Sequence, residues 1–428
     1  LDVALQYVAE RELDRQVTAS RAKGGLVIVL DPKTGEILAL AQNPSFDPNR
    51  ARVGDGDRWR NRAITDAFEP GSTMKGLLAA ASLEARTARL DERLFCEEGA
   101  YKIGRRTIND HHPHGWLTFP EVFHLSSNIC AAKLGARLGV DRYASFLEAF
   151  GIGSRTGIDL AGEQAGIVRP RAAWKPIDLA TASFGHGIAL TPMQLATAYA
   201  ALANEGVRMR PYLVKRVVAE DGTVLLENQA TVVRRVVSAS TAKRVSAILE
   251  GVVSAEGTAK LAAIPGVRVA GKTGTAQKVD FERGGYGSGR IASFVGYFPV
   301  EAPSLVILVV VDEPKTSAFG GIIAAPVFRE IGIAALERLG LRPGNGAPAE
   351  PILQQASATT TTELELPSRT SFLGLSLREA LRRGRELGLA VDITGSGYVV
   401  AQEPPAGFAT ETTRVLKLRL DAGEGPPA

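Results

Sequence analysis

The sequence predicts an α/β (α+β) fold, in which a large domain of helices around a sheet is followed by a much smaller unit. Strand-like runs occur at residues 26–41 and again at 266–314, with helical periodicity between them. Strands at both ends of a domain with helices between them favour a layered sheet. A segment rich in Pro, Ala and Thr then interrupts the periodicity, as a linker does. We therefore expect a domain at 1–340, a linker at 341–366 and a second unit at 367–421.

The N-terminal region predicts one helix and one β-hairpin. Apolar residues from Val3 to Val17 recur at helical spacing and can share one face. Two β-rich runs, Leu26–Leu30 and Ile37–Ala41, then flank Asp31–Gly35, which has the composition of a tight turn. This hairpin is expected to supply the first two strands of the sheet.

The middle of the domain is predicted to be helical and its end to form strands. Residues 122–149 favour helix, and Thr191–Gly206 has a capping residue at its start and a Gly at its end. Gly266–Lys278 and Ile291–Pro314 have strand character, the second as a hairpin of central strands. The sheet is therefore expected to combine strands from both ends of the domain.

The second unit is expected to contain one helix and three strands. Ser376–Glu379 fits a capping box at the start of an amphipathic helix. Three β-rich runs follow, at Leu389–Ile393, Tyr398–Gln402 and Arg414–Leu420. So small a unit has no room for a substantial cleft of its own, so it is predicted to be a binding or spacer module.

Composition excludes some classes of partner. The 428 residues are 45% hydrophobic and 22% charged, which is ordinary for a globular protein with a large core. The 50 basic and 46 acidic residues leave a net charge of only +4, and no dense Lys/Arg block is present. Nucleic acid is therefore not an expected partner.

Apolar runs and the first methionine bear on compartment. The longest clean apolar run, Leu305–Val311, is too short to span a bilayer and predicts a buried strand. The chain begins with Leu1, and the first methionine is Met74. We therefore expect a fragment or processed product, from which a leader or membrane anchor has been removed.

Ser72 and Lys75 lie three residues apart where the Pro-Gly turn of FEPGSTMKGLLAA becomes an apolar run. An isolated Ser-x-x-Lys is usually an ordinary helix start with a solvated lysine. At positions i and i+3 of a helix, however, the two side chains share a face and can meet. Desolvation or a second cation lowers the pKa of a lysine, so its neutral amine can accept a hydroxyl proton. The sharper prediction is a serine nucleophile with a lysine base.

Two further motifs follow in the chain. Ser126-x-Asn128 offers a hydroxyl and an amide that can extend a hydrogen-bond chain to the lysine. In Lys272-Thr273-Gly274, the lysine gives a fixed cation, the threonine a donor for a carboxylate, and the glycine room for close approach. This third motif begins 200 residues after the first (272 − 72). Ser-x-x-Lys, Ser-x-Asn and Lys-Thr-Gly in this order are the motif set of β-lactamases and penicillin-binding proteins.

Residues 1–335 resemble the transpeptidase domain of class B penicillin-binding proteins. The resemblance is carried by FEPGSTMK, SSN and KTGTAQK, and by DPKTGEILALAQNPSFDPN, GIGSRTGIDLAGE and GHGIALTPMQLATAYAALANEG. YKIGRRTINDHHPHGWLTFPEVFHLSSN and GRIASFVGYFP resemble the division-type members. The resemblance implies a penicillin-binding/β-lactamase-like transpeptidase fold, with a central antiparallel sheet and flanking helices. It also implies a peptidoglycan D,D-transpeptidase of septal wall synthesis that β-lactams inhibit.

Residues 367–421 resemble a PASTA domain, a small module often attached to these enzymes or to wall-sensing kinases. The resemblance is carried by LPSRTSFLGLSLREALRRGRELGL, by GSGYVVAQEPPAG and by the final strand. The sequence departs from the PASTA pattern at Thr412-Thr413, where a glycine is expected.

The family resemblance implies roles for the first two motifs. Ser72 would attack the carbonyl between the terminal D-Ala residues of a stem peptide, which forms an acyl-enzyme and expels D-Ala. Lys75 would be the general base. Ser126 and Asn128 would shuttle protons and position the substrate.

The third motif would bind the end of the same peptide. The resemblance implies that Lys272, Thr273 and Thr275 hold the terminal carboxylate, with Gly274 between them in the substrate-binding strand. Backbone N–H groups of Ser72 and Thr275 would form the oxyanion hole. An amine from a neighbouring stem peptide would then accept the acyl group, while β-lactams would acylate Ser72 as mimics of D-Ala-D-Ala.

The resemblance also implies partners and a location. The expected ligands are stem peptides ending in D-Ala-D-Ala and β-lactam antibiotics, with no cofactor and no metal. A membrane glycosyltransferase and divisome proteins would bind through N-terminal parts that this chain lacks. The whole protein would be held in the cytoplasmic membrane by a single N-terminal anchor, with its catalytic domain extracytoplasmic or periplasmic.

Three alternative functions share these motifs. A β-lactamase of class A needs a glutamate-activated water, usually in Glu-x-x-Leu-Asn, and no such segment occurs between Asn128 and Lys272. A D,D-carboxypeptidase would use water as the acceptor. A β-lactam-binding wall sensor would be acylated without turnover. Turnover distinguishes these three from one another and from the transpeptidase.

Histidines and cysteines offer weaker signals. The cluster His111, His112 and His114 lacks Cys or Glu partners, so a polar loop beside a cleft is favoured over a metal site. Cys96 and Cys130 can form at most one disulfide, and their separation says nothing about their distance. Buried thiols are therefore the default expectation.

Overall fold

The computed structural model describes residues 1–46, 58–279 and 285–339, and parts of 372–421 (372–373, 375, 380–381, 383, 387, 389–395, 398–404 and 415–421). The chain divides into two compact units, Leu1–Glu350 and Pro351–Ala428. The predicted linker at 341–366 and the predicted capping box at 376–379 lie outside the described residues. The predicted domain boundaries therefore stay predictions.

Eleven α-helices lie in the described part of the first unit. Their bounds are α1 Val3–Ala19, α2 Arg62–Thr65, α3 Met74–Glu84, α4 Phe119–His124, α5 Asn128–Leu138, α6 Val140–Phe150, α7 Pro176–Ala182, α8 Pro192–Ala203, α9 Ala239–Val253, α10 Gly320–Ile323 and α11 Ala325–Leu339. The predicted helices at the N terminus, in 122–149 and after Thr191 are confirmed. Within the described residues, no helix is both long and apolar enough to span a bilayer.

The strands fall into one large sheet and several short pairs. Their bounds are β1 Gly24–Leu30, β2 Ile37–Asn43, β3 Arg93–Phe95, β4 Ala100–Ile103, β5 Arg106–Asn109, β6 Trp116–Thr118, β7 Val207–Met209, β8 Arg216–Val218, β9 Val224–Glu227, β10 Val232–Arg235, β11 Ala270–Val279, β12 Tyr286–Phe298 and β13 Leu305–Asp312. The short pairs are β3–β6, β4–β5, β7–β10 and β8–β9.

The large sheet has the strand order β11-β12-β13-β1-β2, and all its pairings are antiparallel. Every residue of β1 and of β13 is buried, as expected for central strands covered on both faces. The predicted hairpin β1–β2 and the predicted hairpin β12–β13 are both present. Strands from the two ends of the domain therefore share one sheet, and β11 is one of its two edge strands.

Helices cover the sheet and bury one continuous apolar core. α1 begins at Asp2, whose side chain accepts hydrogen bonds from the N–H groups of Ala4 and Leu5. α8 begins with a capping box between Thr191 and Gln194, and every residue of this helix is buried. A fully buried α8 has no solvent face, so it serves as the central helix of the core.

Cys96 and Cys130 form a disulfide, so the default expectation of two buried thiols is wrong. Cys96 directly follows β3, where its N–H donates to Gly115 O, and Cys130 lies in the first turn of α5. The β3–β6 pairing brings the two Cα atoms to 5.3 Å. Their separation of 34 residues gave no sign of this, because the contact depends on a strand pair and a helix meeting in space.

The second unit contains a three-stranded sheet of order β14-β16-β15, with β14 Ala390–Thr394, β15 Tyr398–Glu403 and β16 Val415–Asp421. The three predicted strands are confirmed. β14 pairs in parallel with β16, and β15 pairs antiparallel with it. A small apolar core includes Phe372, Ala380, Leu389, Val399, Leu416 and Leu418.

Candidate active site

A tight turn before α3 presents Ser72. Gly71–Thr73 form one turn of 3-10 helix that runs directly into α3, and Gly71 has φ of +56°, which favours glycine. Thr73 Oγ1 donates to Pro70 O at 2.8 Å, and Tyr199 of α8 donates its hydroxyl to Thr73 O at 2.6 Å. The turn is thus held from within and by the central helix.

Lys75 lies on the first residues of α3 and is fully buried. Its Nζ lies 3.1 Å from Ser72 Oγ, so the predicted i, i+3 contact is present. Nζ also lies 2.6 Å from Ser126 O and 2.8 Å from Asn128 Oδ1, two atoms that can only accept hydrogen bonds. A neutral amine has two N–H groups and one lone pair. Those two acceptors use both N–H groups and leave the lone pair for the hydroxyl of Ser72.

The loop before α5 aims Ser126 and Asn128 at this amine. Ser126 has φ of +61°, a left-handed conformation that is uncommon for a residue with a side chain. In this conformation both its carbonyl and its hydroxyl lie within 3.2 Å of Lys75 Nζ. Asn128 begins α5, and its Nδ2 donates to Asn109 O at 3.1 Å, which fixes the amide with its oxygen towards the lysine.

Lys272 approaches the same hydroxyl from the sheet. It lies on the edge strand β11, is fully buried, and its Nζ donates to Ser126 Oγ at 3.0 Å. Ser126 therefore bridges the two lysines. Thr273 Oγ1 lies 3.1 Å from Thr258 Oγ1, and Thr275 Oγ1 accepts from Gly320 N–H at 3.4 Å.

Two glycines let β11 touch the serine turn. A β-carbon on Gly274 would lie 2.3 Å from Ser293 Oγ and 2.9 Å from Pro70 O. A β-carbon on Gly71 would lie 2.9 Å from Thr275 O. Side chains at either position would force the strand and the turn apart. The third motif therefore has a steric need for glycine as well as room for a ligand.

Burial sets the protonation of both lysines. Desolvation, with help from the positive charge of Lys272, holds the pKa of Lys75 well below its usual value. Desolvation lowers the pKa of Lys272 to about 7. Burial, with help from Lys75, also lowers the pKa of His186 to about 4. Near neutral pH the site can thus hold a neutral lysine next to the serine hydroxyl.

A cavity of about 280 Å³ opens at Ser72. His111 and His112 line it, in agreement with a polar loop beside a cleft. Its other lining residues are Leu125, Ser126, Gly257, Thr258, Lys260, Leu261, Thr273, Thr275, Phe319, Gly320, Gly321 and Ile322. Within the ranges that the structure describes, no three His, Cys, Asp or Glu side chains are grouped so as to hold a metal ion.

Sequence reasoning missed Asp110. Its carboxylate accepts hydrogen bonds from the N–H groups of Asn128 and Ile129 at 2.5 Å and 3.1 Å, and from Ser127 Oγ at 2.6 Å. Asp110 thus caps α5 from outside that helix and fixes the loop that carries the second motif. No spacing in the sequence connects Asp110 to α5, so no local signal could have found it.

A second missed group lies beside the serine turn. Glu69 accepts from Gly187 N–H at 2.8 Å and from the hydroxyl of Tyr286 at 3.0 Å. The ring of His186 lies 5.8 Å from the ring of Tyr286. These residues connect the turn to the start of β12, and Glu69 and Gly187 line a separate cavity of about 330 Å³.

The motif residues Ser72, Lys75, Ser126, Asn128 and Lys272 therefore meet in one site, and comparison with known proteins assigns the family. Residues 25–332 match the family described as "Penicillin binding protein transpeptidase domain". The chain belongs to the penicillin-binding protein transpeptidase family.

Curated relatives carry consistent names. "Probable peptidoglycan D,D-transpeptidase PenA" of Neisseria meningitidis is 39% identical over 345 residues, which cover 80% of this chain and 57% of that protein. "Stage V sporulation protein D" of Bacillus subtilis is 35% identical over 98% of this chain and 64% of its own length. "Peptidoglycan D,D-transpeptidase FtsI" of Escherichia coli is 33% identical over 84% of this chain and 59% of its length. The chain thus spans about three fifths of the length of these relatives.

Solved structures confirm the fold. The transpeptidase domain of penicillin-binding protein 3 from Burkholderia pseudomallei, in its apo form, superposes with a TM-score of 0.71 at 34% identity, covering 80% of this chain and 97% of that one. Penicillin-binding protein 3 from Mycobacterium tuberculosis, complexed with aztreonam, gives a TM-score of 0.74 at 35% identity, covering 81% of this chain and 78% of that one. The predicted transpeptidase fold is therefore confirmed for the first unit.

Proposed function

We propose that this chain is the catalytic part of a peptidoglycan D,D-transpeptidase that works through an acyl-enzyme on Ser72. One observation carries the proposal: the fully buried amine of Lys75 lies 3.1 Å from Ser72 Oγ, with both of its N–H groups already engaged. The relatives named D,D-transpeptidases support the substrate class, a stem peptide ending in D-Ala-D-Ala.

Acylation begins with a proton transfer. Neutral Lys75 takes the proton of Ser72, whose oxygen attacks the carbonyl carbon between the two D-Ala residues. The protonated amine then returns a proton through Ser126 Oγ, 3.2 Å away, to the departing nitrogen. The peptide C–N bond breaks, D-Ala leaves as a neutral amine, and the ester to Ser72 remains. Asn128 keeps Lys75 in place and offers its amide to the substrate backbone.

The edge strand holds the substrate. Thr273 and Thr275 donate their hydroxyls to the terminal carboxylate, with Lys272 behind them as a cation when it is protonated. Gly274 keeps the strand close to the serine turn. Backbone N–H groups of Ser72 and Thr275 stabilise the oxyanion of the tetrahedral intermediate.

The second half of the reaction decides between candidate functions. An amine of a neighbouring stem peptide attacks the ester and forms the cross-link, with Lys75 now accepting the amine proton. Water in that role would give the alternative D,D-carboxypeptidase, and a stable ester would give a wall sensor. The names of the relatives favour the amine.

The wider role is also part of this proposal. We place the enzyme in septal wall synthesis, anchored in the cytoplasmic membrane with the catalytic unit outside it, and working with a membrane glycosyltransferase and divisome proteins. The second unit is proposed to be a PASTA domain. Its three-stranded sheet supports that assignment.

Intact-mass spectrometry with benzylpenicillin tests the nucleophile. The parent protein is expected to gain the mass of one penicillin, and Ser72→Ala none. Ser154→Ala, a serine outside the cavity, is the matched control and should be labelled like the parent. A parent that consumes penicillin without an adduct would indicate a β-lactamase, and one that neither binds nor consumes it would refute the proposal.

A turnover assay then separates the remaining readings. A D-Ala-D-Ala ester or peptide donor is incubated with and without a D-amino acid acceptor, and the products are separated by chromatography. Transfer to the amine supports the transpeptidase. Hydrolysis alone supports the carboxypeptidase, and acylation without release supports the sensor.

A further inference from the structure

The cavity at Ser72 has an uneven charge distribution. Among the described residues that line it, apart from the two histidines, Lys260 alone carries a formal charge. The wall around it is apolar: Leu125, Leu261, Phe319 and Ile322 are each at least 38% exposed there. Apolar walls raise the cost of bringing in a carboxylate unless a cation faces it.

Lys260 lies on a segment that is held against α9. It begins a 3-10 turn, Lys260–Ala262. The two residues that flank Lys260 and Leu261 in the chain, Ala259 and Ala262, are buried. Ala259 N–H donates to Val252 O at 2.8 Å. The turn is therefore anchored to the end of α9.

The same segment touches the third motif. Thr258, two residues before Lys260, places its Oγ1 3.1 Å from Thr273 Oγ1. A β-carbon on Gly321 would lie 2.1 Å from Thr258 O, so the backbones approach closely there as well. Lys260 thus lines the same cavity as Thr273 and Thr275, the threonines that are proposed to hold the substrate carboxylate.

Lys260 differs from Lys272 in its surroundings. Lys272 is fully buried, its Nζ is occupied by Ser126 Oγ, and desolvation lowers its pKa to about 7. Near neutral pH Lys272 is therefore protonated only part of the time. Lys260 is exposed to solvent and forms no ion pair with any acidic side chain in the described part of the chain.

We propose that Lys260 is a substrate-binding residue that attracts the terminal carboxylate of the donor peptide, or of a β-lactam, into the cavity at Ser72. Thr273 and Thr275 supply short-range hydrogen bonds, and Lys260 supplies the standing positive charge. The inference rests on the proposed acylation of Ser72. According to this inference, Lys260 is the reason why the enzyme is acylated faster by an acid than by its neutral ester.

The test compares two probes that differ only in charge: benzylpenicillin and its methyl ester. Second-order acylation rates are measured by intact-mass time courses for the parent and for Lys260→Arg, Lys260→Gln and Lys260→Glu. The acid-to-ester rate ratio should stay near the parent value in the Arg variant and fall about fivefold in the Gln variant. It should fall further in the Glu variant, since a like charge then faces the carboxylate.

Lys243→Glu is the matched control. Lys243 is exposed near the start of α9, where Ser238 contacts Glu84 at the far end of α3 from Ser72. Lys243→Glu changes the net charge by the same amount as Lys260→Glu. A purely long-range electrostatic effect would therefore lower the acid-to-ester rate ratio equally in both variants. An equal fall in the control would overturn the proposal.

The salt dependence of acylation gives a second test. The acylation rate of the parent by the acid should fall with added NaCl more steeply than the rate by the ester, and Lys260→Gln should lose most of that difference. If all variants keep the parent ratio, Lys260 is an ordinary solvated lysine and the inference is wrong. If the parent is not acylated at all, it is the proposed function that fails instead.

Discussion

The site is built from two halves that are fixed in different ways. The sheet half, Lys272 to Thr275 on β11, is held by the main-chain ladder to β12 and by glycine contacts with the serine turn. The helical half, with Lys75, Ser126 and Asn128, is held by side-chain hydrogen bonds. The amine of Lys75 bonds to Ser72, Ser126 and Asn128, and Asp110 caps α5. Backbone ladders tolerate side-chain changes, whereas a side-chain network loses a contact with each change.

This difference predicts how the acylation rate responds to substitutions in each half. In the sheet half, acylation should fall when a change moves the backbone or removes a side chain that is proposed to hold the substrate carboxylate. In the helical half, each lost hydrogen bond should reduce the acylation rate, and the reduction should be larger when the lost group contacts Ser72 directly.

Lys75→Met removes the proposed base from the helical half and should lower the second-order rate of acylation by benzylpenicillin about a thousandfold. The apolar side chain fills the space but leaves Ser126 O and Asn128 Oδ1 without their donor, so the free energy of unfolding should fall by about 1–3 kcal/mol. Mass-spectrometric time courses measure the rate, and Lys102→Met, on the exposed face of β4, serves as the control. A rate within tenfold of the parent would show that Lys75 is not the base.

The pH profile of the parent checks the same residue. The base is active when neutral, so acylation should rise with pH as Lys75 loses its proton, with a midpoint well below the ordinary lysine value because burial and Lys272 lower its pKa. Acylation by a carboxylate substrate should then decline as Lys272 loses its charge around pH 7. The two lysines share Ser126, so the midpoints belong to the pair. A rising limb near the ordinary lysine value would contradict the neutral base.

Gly274→Ala tests the backbone contact of the sheet half. Its β-carbon would collide with Ser293 Oγ and Pro70 O, so β11 and the serine turn must separate. We expect acylation to fall about a hundredfold, because a displacement of ~1 Å at the reacting atoms has that effect. The free energy of unfolding should fall by about 1–3 kcal/mol.

Gly289→Ala is the matched control for this strand contact. The three atoms nearest to its β-carbon belong to the side chains of Glu313 and Lys278, each at 3.3 Å, and these side chains can move. Near-parent acylation in both variants would mean that the strand and the turn do not need their close contact.

Asp110→Ala tests the support of the helical half. It removes the acceptor for three hydrogen bonds at the start of α5, so the free energy of unfolding should fall by about 1–2 kcal/mol. Acylation should fall about tenfold, since Asn128 and Ser126 lose their fixed positions. Urea denaturation and acylation kinetics measure the two effects.

Asp141→Ala is the comparison for Asp110. Asp141 lies in the first turn of α6, is exposed, and has the same charge near a helix N-terminus. It should cost less stability and leave acylation unchanged. Equal effects of the two variants would show that Asp110 acts only through a general interaction with the helix dipole.

The disulfide should have the smallest effect on chemistry. Cys96→Ala combined with Cys130→Ala opens a loop with a sequence separation of 34, which should lower the free energy of unfolding by about 3–4 kcal/mol. Acylation at 25 °C should stay within about threefold, because the hydrogen bonds of Asp110 hold the loop locally. A larger loss of acylation than in Asp110→Ala would show that the disulfide, not Asp110, sets the geometry of the helical half.

Much of the fold followed from local patterns. The hairpins, the helix after Thr191 and the three strands of the second unit could all be predicted, because periodicity, turn residues and caps act over short distances. The pairing of β14 with β16 in parallel could not, since strand order depends on contacts between distant segments.

The sequence by itself determined the order of the three motifs, the helical context of Lys75 and the strand context of Lys272, because each depends on residues a few positions away. Only the tertiary structure decided that Ser126 bridges the two lysines, that Cys96 pairs with Cys130, and that Asp110 and Lys260 belong to the site. These depend on which surfaces bury one another, and burial also lowers the pKa of both Lys75 and Lys272.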